Sequence, residues 1–177
     1  MNWLGILLLI IALPASERQG DELNWEKDRR LSWEDFRTRT GPSQLYKAFS
    51  YTGMRYVVDA PDGRNISIEV TPYFVHSKSW VHHRHKIDRL LAHEQGHFDL
   101  TAIYAFKLDS ILEEYEVGIG EFMENRMIGR VEFLFDSVYA ELQVMQDRYD
   151  AETNHSIIEG KQEEWEAYIA DQIEALP

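Results

Sequence analysis

His93-Glu94-Gln95-Gly96-His97 carries two imidazoles four residues apart with a carboxylate beside the first. On a helix, residues i and i+4 share one face with Cβ atoms about 5–6 Å apart, so both rings can reach one metal ion. Glu94 then stands where a general base for hydrolysis by zinc-activated water has to be. Leu90-Leu91-Ala92 precede the motif, and Phe98, Leu100, Ala102, Ile103, Tyr104, Ala105, Phe106, Leu108, Ile111 and Leu112 follow it without a proline. Such a run predicts a helix buried almost all round. Two imidazoles and a carboxylate in an interior helix cost free energy unless they are paired or bound to metal. The motif therefore predicts Zn2+ at His93 and His97, with Glu94 catalytic.

A catalytic zinc usually takes a third protein ligand and keeps one position open. The extended pattern that supplies it as a downstream His is absent, because Leu100 and Ile103 stand where Gly and His would be. The chain has no cysteine, so a thiolate is excluded as well. Glu121, Glu124, Glu132 and Glu141 fit by spacing, but each fits a solvated helix face better. Tyr149-Asp150-x-x-Thr153-x-His155 gathers polar groups at the end of an apolar helix. His155, the one His downstream of the motif, is the expected third metal ligand. Asp150 is the alternative, as ligand or as acceptor for an imidazole N–H. Tyr149 is a candidate for the oxyanion, and Asp99 is expected off the ligand face. His76, His82, His83 and His85 lie near Arg84 and Lys86 and read as a solvated turn rather than a second metal cluster.

The elements that must position these residues are legible from periodicity. Residues 48–59 and 65–80 alternate and are rich in β-branched and aromatic types, with turn chemistry at Pro61-Asp62-Gly63, which predicts a hairpin. Ile66, Ile68 and Val70 share a face, and Pro72 predicts an edge strand or a bulge, where an extended peptide could pair. Ser32 with Asp35 predicts a single helical turn anchored by Trp33 and Phe36 and stopped at Gly41-Pro42. The metal helix is expected over 87–116, ended by Gly118 and Gly120. A second follows over 122–149, with Val131, Leu134, Phe135, Val138, Leu142 and Met145 on one face. A third spans 157–176, with Ser156 and Glu159 as its cap. The fold class is thus α+β: a small antiparallel sheet, a hairpin with an edge strand, followed by a three-helix part carrying the H-E-x-x-H helix.

With 177 residues and 44% hydrophobic content, the chain is long enough for one domain with a full core. Net charge is -13 with no Lys/Arg cluster, which argues against a nucleic acid or an anionic membrane as partner. Residues 1–13 carry no charged side chain, and an apolar run from Trp3 to Leu13 is followed by Pro14-Ala15-Ser16. The run is shorter than the roughly 20 residues a membrane span needs. It reads as a signal peptide over 1–16, leaving 17–177 as one domain, secreted or periplasmic, with no span in the mature chain.

Leu31-Ser-Trp-Glu-Asp-Phe36, Ser79-Trp80-Val81, His93-Glu-Gln-Gly-His-Phe-Asp99 and Tyr149-Asp-Ala-Glu-Thr-Asn-His155 together resemble a family of exported bacterial proteins predicted to be zinc-dependent proteases and formerly filed as a domain of unknown function. The resemblance spans nearly the whole mature chain. It implies zinc at His93 and His97, a base at Glu94 and a role for the Tyr149 to His155 segment. Ser156 stands where the family pattern has glycine. The expected function is a secreted zinc-dependent peptidase acting on a peptide or protein substrate, with Glu94 as general base and His93, His97 and His155 on the metal. The alternative is a non-catalytic secreted metal-binding or protein-interaction domain.

Overall fold

The computed structural model describes residues 20–38 and 46–177. The expected signal segment and the stop at Gly41-Pro42 lie outside the described residues. The fold is α+β, as the periodicity predicts. β1 (Glu22–Asn24), β3 (Thr52–Asp59) and β4 (Ser67–Val75) form an antiparallel sheet in the order β1-β4-β3, and β2 (Ala48–Phe49) pairs with β5 (Trp80–Val81) in a second, two-stranded sheet. The helices are α1 (Asp88–Leu112), α2 (Ile119–Glu124), α3 (Ile128–Thr153) and α4 (Glu159–Glu174).

The hairpin forms in the register Thr52↔Phe74 through Asp59↔Ser67. Its arms are shorter than the alternation suggests, because each changes sheet. Residues 48–49 leave for the partner strand at 80–81, and a 3-10 turn at His76–Lys78 ends the second arm. Pro72 corrects the expectation of an edge strand or bulge, since β4 is the central strand. Val75 N–H donates to Tyr51 O at 2.9 Å. By alternation, the odd-numbered N–H groups of β4 point to β3 and the even-numbered ones away from it. The Pro72 nitrogen therefore faces the β1 side at the last rung of that pairing, where Trp25 N–H donates to Pro72 O at 3.1 Å and only the reciprocal bond is missing. Beyond it, the outward N–H groups of Val70 and Ile68 are taken by carboxylates at the far end of the metal-motif helix, Asp109 (3.1 Å) and Glu116 (2.7 Å). Among the described residues, that stretch of β4 is covered, and the long open edge belongs to β3.

α1 is the axis of the molecule. Ala105, Leu108 and Leu112 pack with Met54 and Ile68 of the sheet and with Phe122, Val131 and Val138. Leu90 and Phe98 pack on another side with Leu31, Phe36, Ala48, Phe74 and Val81. Leu100 packs on a third with Leu142, Tyr149, Trp165, Ile169 and Ile173. A helix buried on three sides is what its near-continuous apolar run predicts.

All three expected helices need correction. A 3-10 turn at Glu113–Tyr115 closes α1 earlier than 116. Gly118 starts α2 instead of ending α1. The segment expected as one helix over 122–149 breaks at Arg126, which takes φ 50, and resumes as α3 as far as Thr153. Among the described residues the helical part therefore has four helices, not three. The expected Ser156/Glu159 cap does not form: the N-cap of α4 is Ile158, without a side-chain bond. The Ser32 turn does form, with Ser32 N–H and Oγ donating to Asp35 Oδ2 at 2.7 and 3.0 Å.

Candidate metal centre

α1 and α3 bring the site together across the core. His93 and His97 leave α1 on the face turned to α3, and α3 answers with Gln146, Tyr149, Asp150 and Thr153, whose spacing marks one helical stripe. Asp150 Oδ1 is the hub. It lies 3.0 Å from His93 Nε2, 3.0 Å from His97 Nε2 and 3.0 Å from His155 Nδ1. The two Nε2 atoms are 3.2 Å apart. Donor atoms of His93, Asp150 and His155 fall within 4.8 Å of one another, a grouping able to hold a metal ion.

The far side of each ring decides what its near nitrogen can do. Gln162 Nε2 donates to Tyr149 OH and to Glu166 Oε1, both at 2.9 Å. Its carbonyl oxygen is thereby turned to His93 Nδ1 at 3.0 Å. Gln146 Nε2 donates to His97 O at 2.9 Å, which turns its oxygen to His97 Nδ1. A carbonyl oxygen only accepts, so both Nδ1 atoms carry hydrogen and both Nε2 lone pairs face Asp150. Two lone pairs and a carboxylate oxygen at 3.0–3.2 Å repel unless a proton or a cation lies among them. Ligand atoms around a tetrahedral ion bonded at about 2.0–2.1 Å stand about 3.3 Å apart, so the triad His93, His97, Asp150 has nearly the required spacing.

The ionisation of the pair follows from the same contacts. Burial alone would pull His97 down, but the hydrogen bond and charge of Asp150, helped by Glu94 and Gln146, lift it to about 9. Burial pushes Asp150 up, but the hydrogen bonds and charges of His93 and His97 outweigh it and hold the carboxyl well below the usual range.

Glu94 is 3% exposed, and its Oε2 accepts from Ser50 Oγ at 2.6 Å. His155 sits just past α3 and is half-buried against the Tyr46 ring, with centroids 4.9 Å apart. It belongs to a run of three residues with positive φ: Asn154 (47), His155 (52) and Ser156 (70). Left-handed backbone at three successive non-glycine residues costs on the order of 1 kcal/mol each. This turn puts the imidazole back over Asp150, whose carbonyl accepts from His155 N–H at 3.2 Å.

The structure thus brings together His93, His97 and both expected candidates for the third ligand, His155 and Asp150, with Glu94 beside them. Tyr149 does not serve as the oxyanion group expected of it. Its ring is fully buried and stacks on His93 at 4.5 Å. Its hydroxyl donates to His93 O at 3.3 Å and accepts from Gln162, and burial pushes its pKa up. Gly96 makes room for it: a Cβ there would lie 2.4 Å from Tyr149 OH. Asp99 is off the ligand face as expected, yet it is buried, accepting from Trp25 Nε1 (2.7 Å), Gln95 Nε2 (2.7 Å) and Arg30 Nη1 (3.0 Å). Glu121, Glu124, Glu132 and Glu141 are exposed. His76 is buried with its Nδ1 2.8 Å from Asp35 O, and His83–His85 forms a short 3-10 turn.

Comparison of the chain with models of known protein families, with curated proteins and with solved structures finds no match in any of the three. Among the described residues, no helix is long and apolar enough to cross a membrane.

Proposed function

We propose that the protein is an exported zinc-dependent peptidase whose general base is Glu94. The observation that carries this reading is the convergence of His93 Nε2, His97 Nε2 and Asp150 Oδ1 at 3.0–3.2 Å beside a buried glutamate. His93, His97 and Asp150 form the ligand triad. His155 is the fourth donor, at the more exposed side, which places the expected third ligand one step further out and its alternative, Asp150, in the triad. Zinc bound there supplies Lewis acidity, polarising a peptide carbonyl and lowering the pKa of water from about 15.7 to about 7. Gln162 and Gln146 fix the tautomer and aim of the two rings. Glu94 takes the proton of the attacking water and returns it to the leaving amine. The motif resemblance to exported predicted proteases and the apolar segment at 3–13 support export of the chain.

A second reading has one observation in its favour. Four protein donors can close a metal site, and closed sites are structural. In that case zinc would tie α1 to the 150–155 segment without turnover. Hydrolysis of an unfolded protein by the zinc-loaded chain, with and without the Glu94 carboxylate and with zinc content measured alongside, separates the two.

A further inference from the structure

Ser50 lies where the chain changes sheets. Ala48 and Phe49 pair with Val81 and Trp80, and Thr52 begins the pairing with Phe74. The backbone between them is pinned from both sides. Tyr51 N–H donates to Ser79 Oγ at 2.9 Å, and Tyr51 O accepts from Val75 N–H at 2.9 Å. Ser79, fully buried, spends its own hydroxyl proton on Val75 O at 2.7 Å. With its neighbours held, Ser50 points its side chain at α1.

Its hydroxyl has one proton and two acceptors in reach, Glu94 Oε2 at 2.6 Å and Glu94 O at 3.4 Å. The shorter contact, to the charged oxygen, is the stronger one. Both side chains are more than nine-tenths buried, Ser50 at 8% and Glu94 at 3% exposure. A buried carboxylate on a helix has several rotamers open to it, and a single charge-assisted bond from a fixed backbone segment selects one.

We propose that Ser50 is the positioning residue of the hydrolytic base: its bond to Oε2 holds the Glu94 carboxylate in one orientation and leaves Oε1 to take the proton. The proposal rests on the peptidase reading. It also gives the Ser79-Trp80-Val81 segment a task, since Ser79 fixes the backbone that carries Ser50. The hydrogen bonds of the Ser50 hydroxyl go to Glu94, so its effect is expected at the base.

The test compares full-length wild type with Ser50→Ala and Ser50→Thr. With zinc bound, Ser50→Ala keeps its metal content and KM and loses about 10–100-fold in kcat; Ser50→Thr, which retains the hydroxyl, recovers most of that loss. A second readout does not depend on turnover. In chelator-treated protein, Ser50→Ala and Glu94→Ala are combined in a double-mutant cycle on thermal stability. Ser50→Ala lowers Tm by several degrees in wild type and by much less when Glu94 is already alanine. Wild-type turnover with an unchanged kcat in Ser50→Ala overturns the positioning role alone, and so do strictly additive Tm losses. Wild-type protein with bound zinc and no turnover overturns the peptidase reading and this role with it.

Discussion

Asp150 is the residue whose part at the site changes most between sequence and structure. Spacing alone favours His155, because histidine is the commoner zinc ligand and no other lies downstream of the motif. In the fold, Asp150 Oδ1 touches all three imidazoles, whereas His155 is partly exposed on a strained turn. Asp150→Ala should therefore lower zinc affinity more than about 100-fold, and His155→Ala only about 10–100-fold, as measured by competition with a chromogenic chelator. Equal losses would put His155 back in the triad. The same contacts set a pH dependence in metal-free protein. His97 is raised from about 6.5 unfolded to about 9 folded. Its contribution to stability is present in full below about pH 6.5 and is lost as pH rises through 9. Asp150 is lowered, so its contribution is present above about pH 4 and is lost as pH falls. Subtracting the Tm profile of His97→Gln from that of wild type should give a difference largest between about pH 4 and 6.5 and vanishing beyond pH 9. A difference that grows with pH would contradict the Asp150–His97 pairing.

At the scale of elements, the site is a contact between two helix stripes held by a third helix. Gly96, inside the motif, lets Tyr149 of α3 close over α1, and Tyr149 is wedged between His93 and Trp165, with ring centroids 4.5 and 5.2 Å away. Gly96→Ala forces this buried ring to move, and overpacking of that kind costs about 1–3 kcal/mol. For a chain of this size the expected fall in Tm is about 3–10 °C, read by calorimetry; an unchanged Tm would mean the helices do not meet here. The long helices and the hairpin were legible because their apolar periods are long and regular, whereas the break at Arg126 that splits the second helix was not. The two-stranded sheet was not: β2 and β5 have two residues each, too few for alternation to mark a change of partner. Gln146 and Gln162 were missed for a different reason. Each is an amide among apolar residues at helical spacing, Gln162 with Trp165, Ile169 and Ile173, and Gln146 after Val138, Leu142 and Met145. A polar residue on a core-facing stripe is a signal for a buried partner, but the partner lies 49 residues away for Gln146 and 69 for Gln162. Only the packed helices supply that information.

For the whole molecule, one helix buried on three sides sets the site at the meeting point of the sheet, α3 and α4. A second buried network locks the opposite face of that helix to the N-terminal arm. There Gln95 Oε1 accepts from Leu31 N–H at 2.7 Å, and Asp99 pairs with Arg30 at 3.0 Å. Gln95 and Asp99 sit within the same stretch as the metal motif, so part of the Leu31 to Phe36 and His93 to Asp99 patterns builds the scaffold, while His93, Glu94 and His97 are the residues the proposed chemistry needs. Sequence separates these tasks poorly, because both put polar residues on a buried helix. In the proposed peptidase the base is Glu94, and its carboxylate is the group a purely structural metal site has no use for. The direct measurement is hydrolysis of an unfolded protein by wild type and Glu94→Gln at equal, verified zinc content. Wild type should cleave the substrate, lose activity to a chelator and regain it with zinc, while Glu94→Gln binds zinc equally well and turns over at least about 100-fold more slowly. Equal cleavage by the two proteins, or none by zinc-loaded wild type, would contradict the assignment of Glu94 as the base of a zinc peptidase.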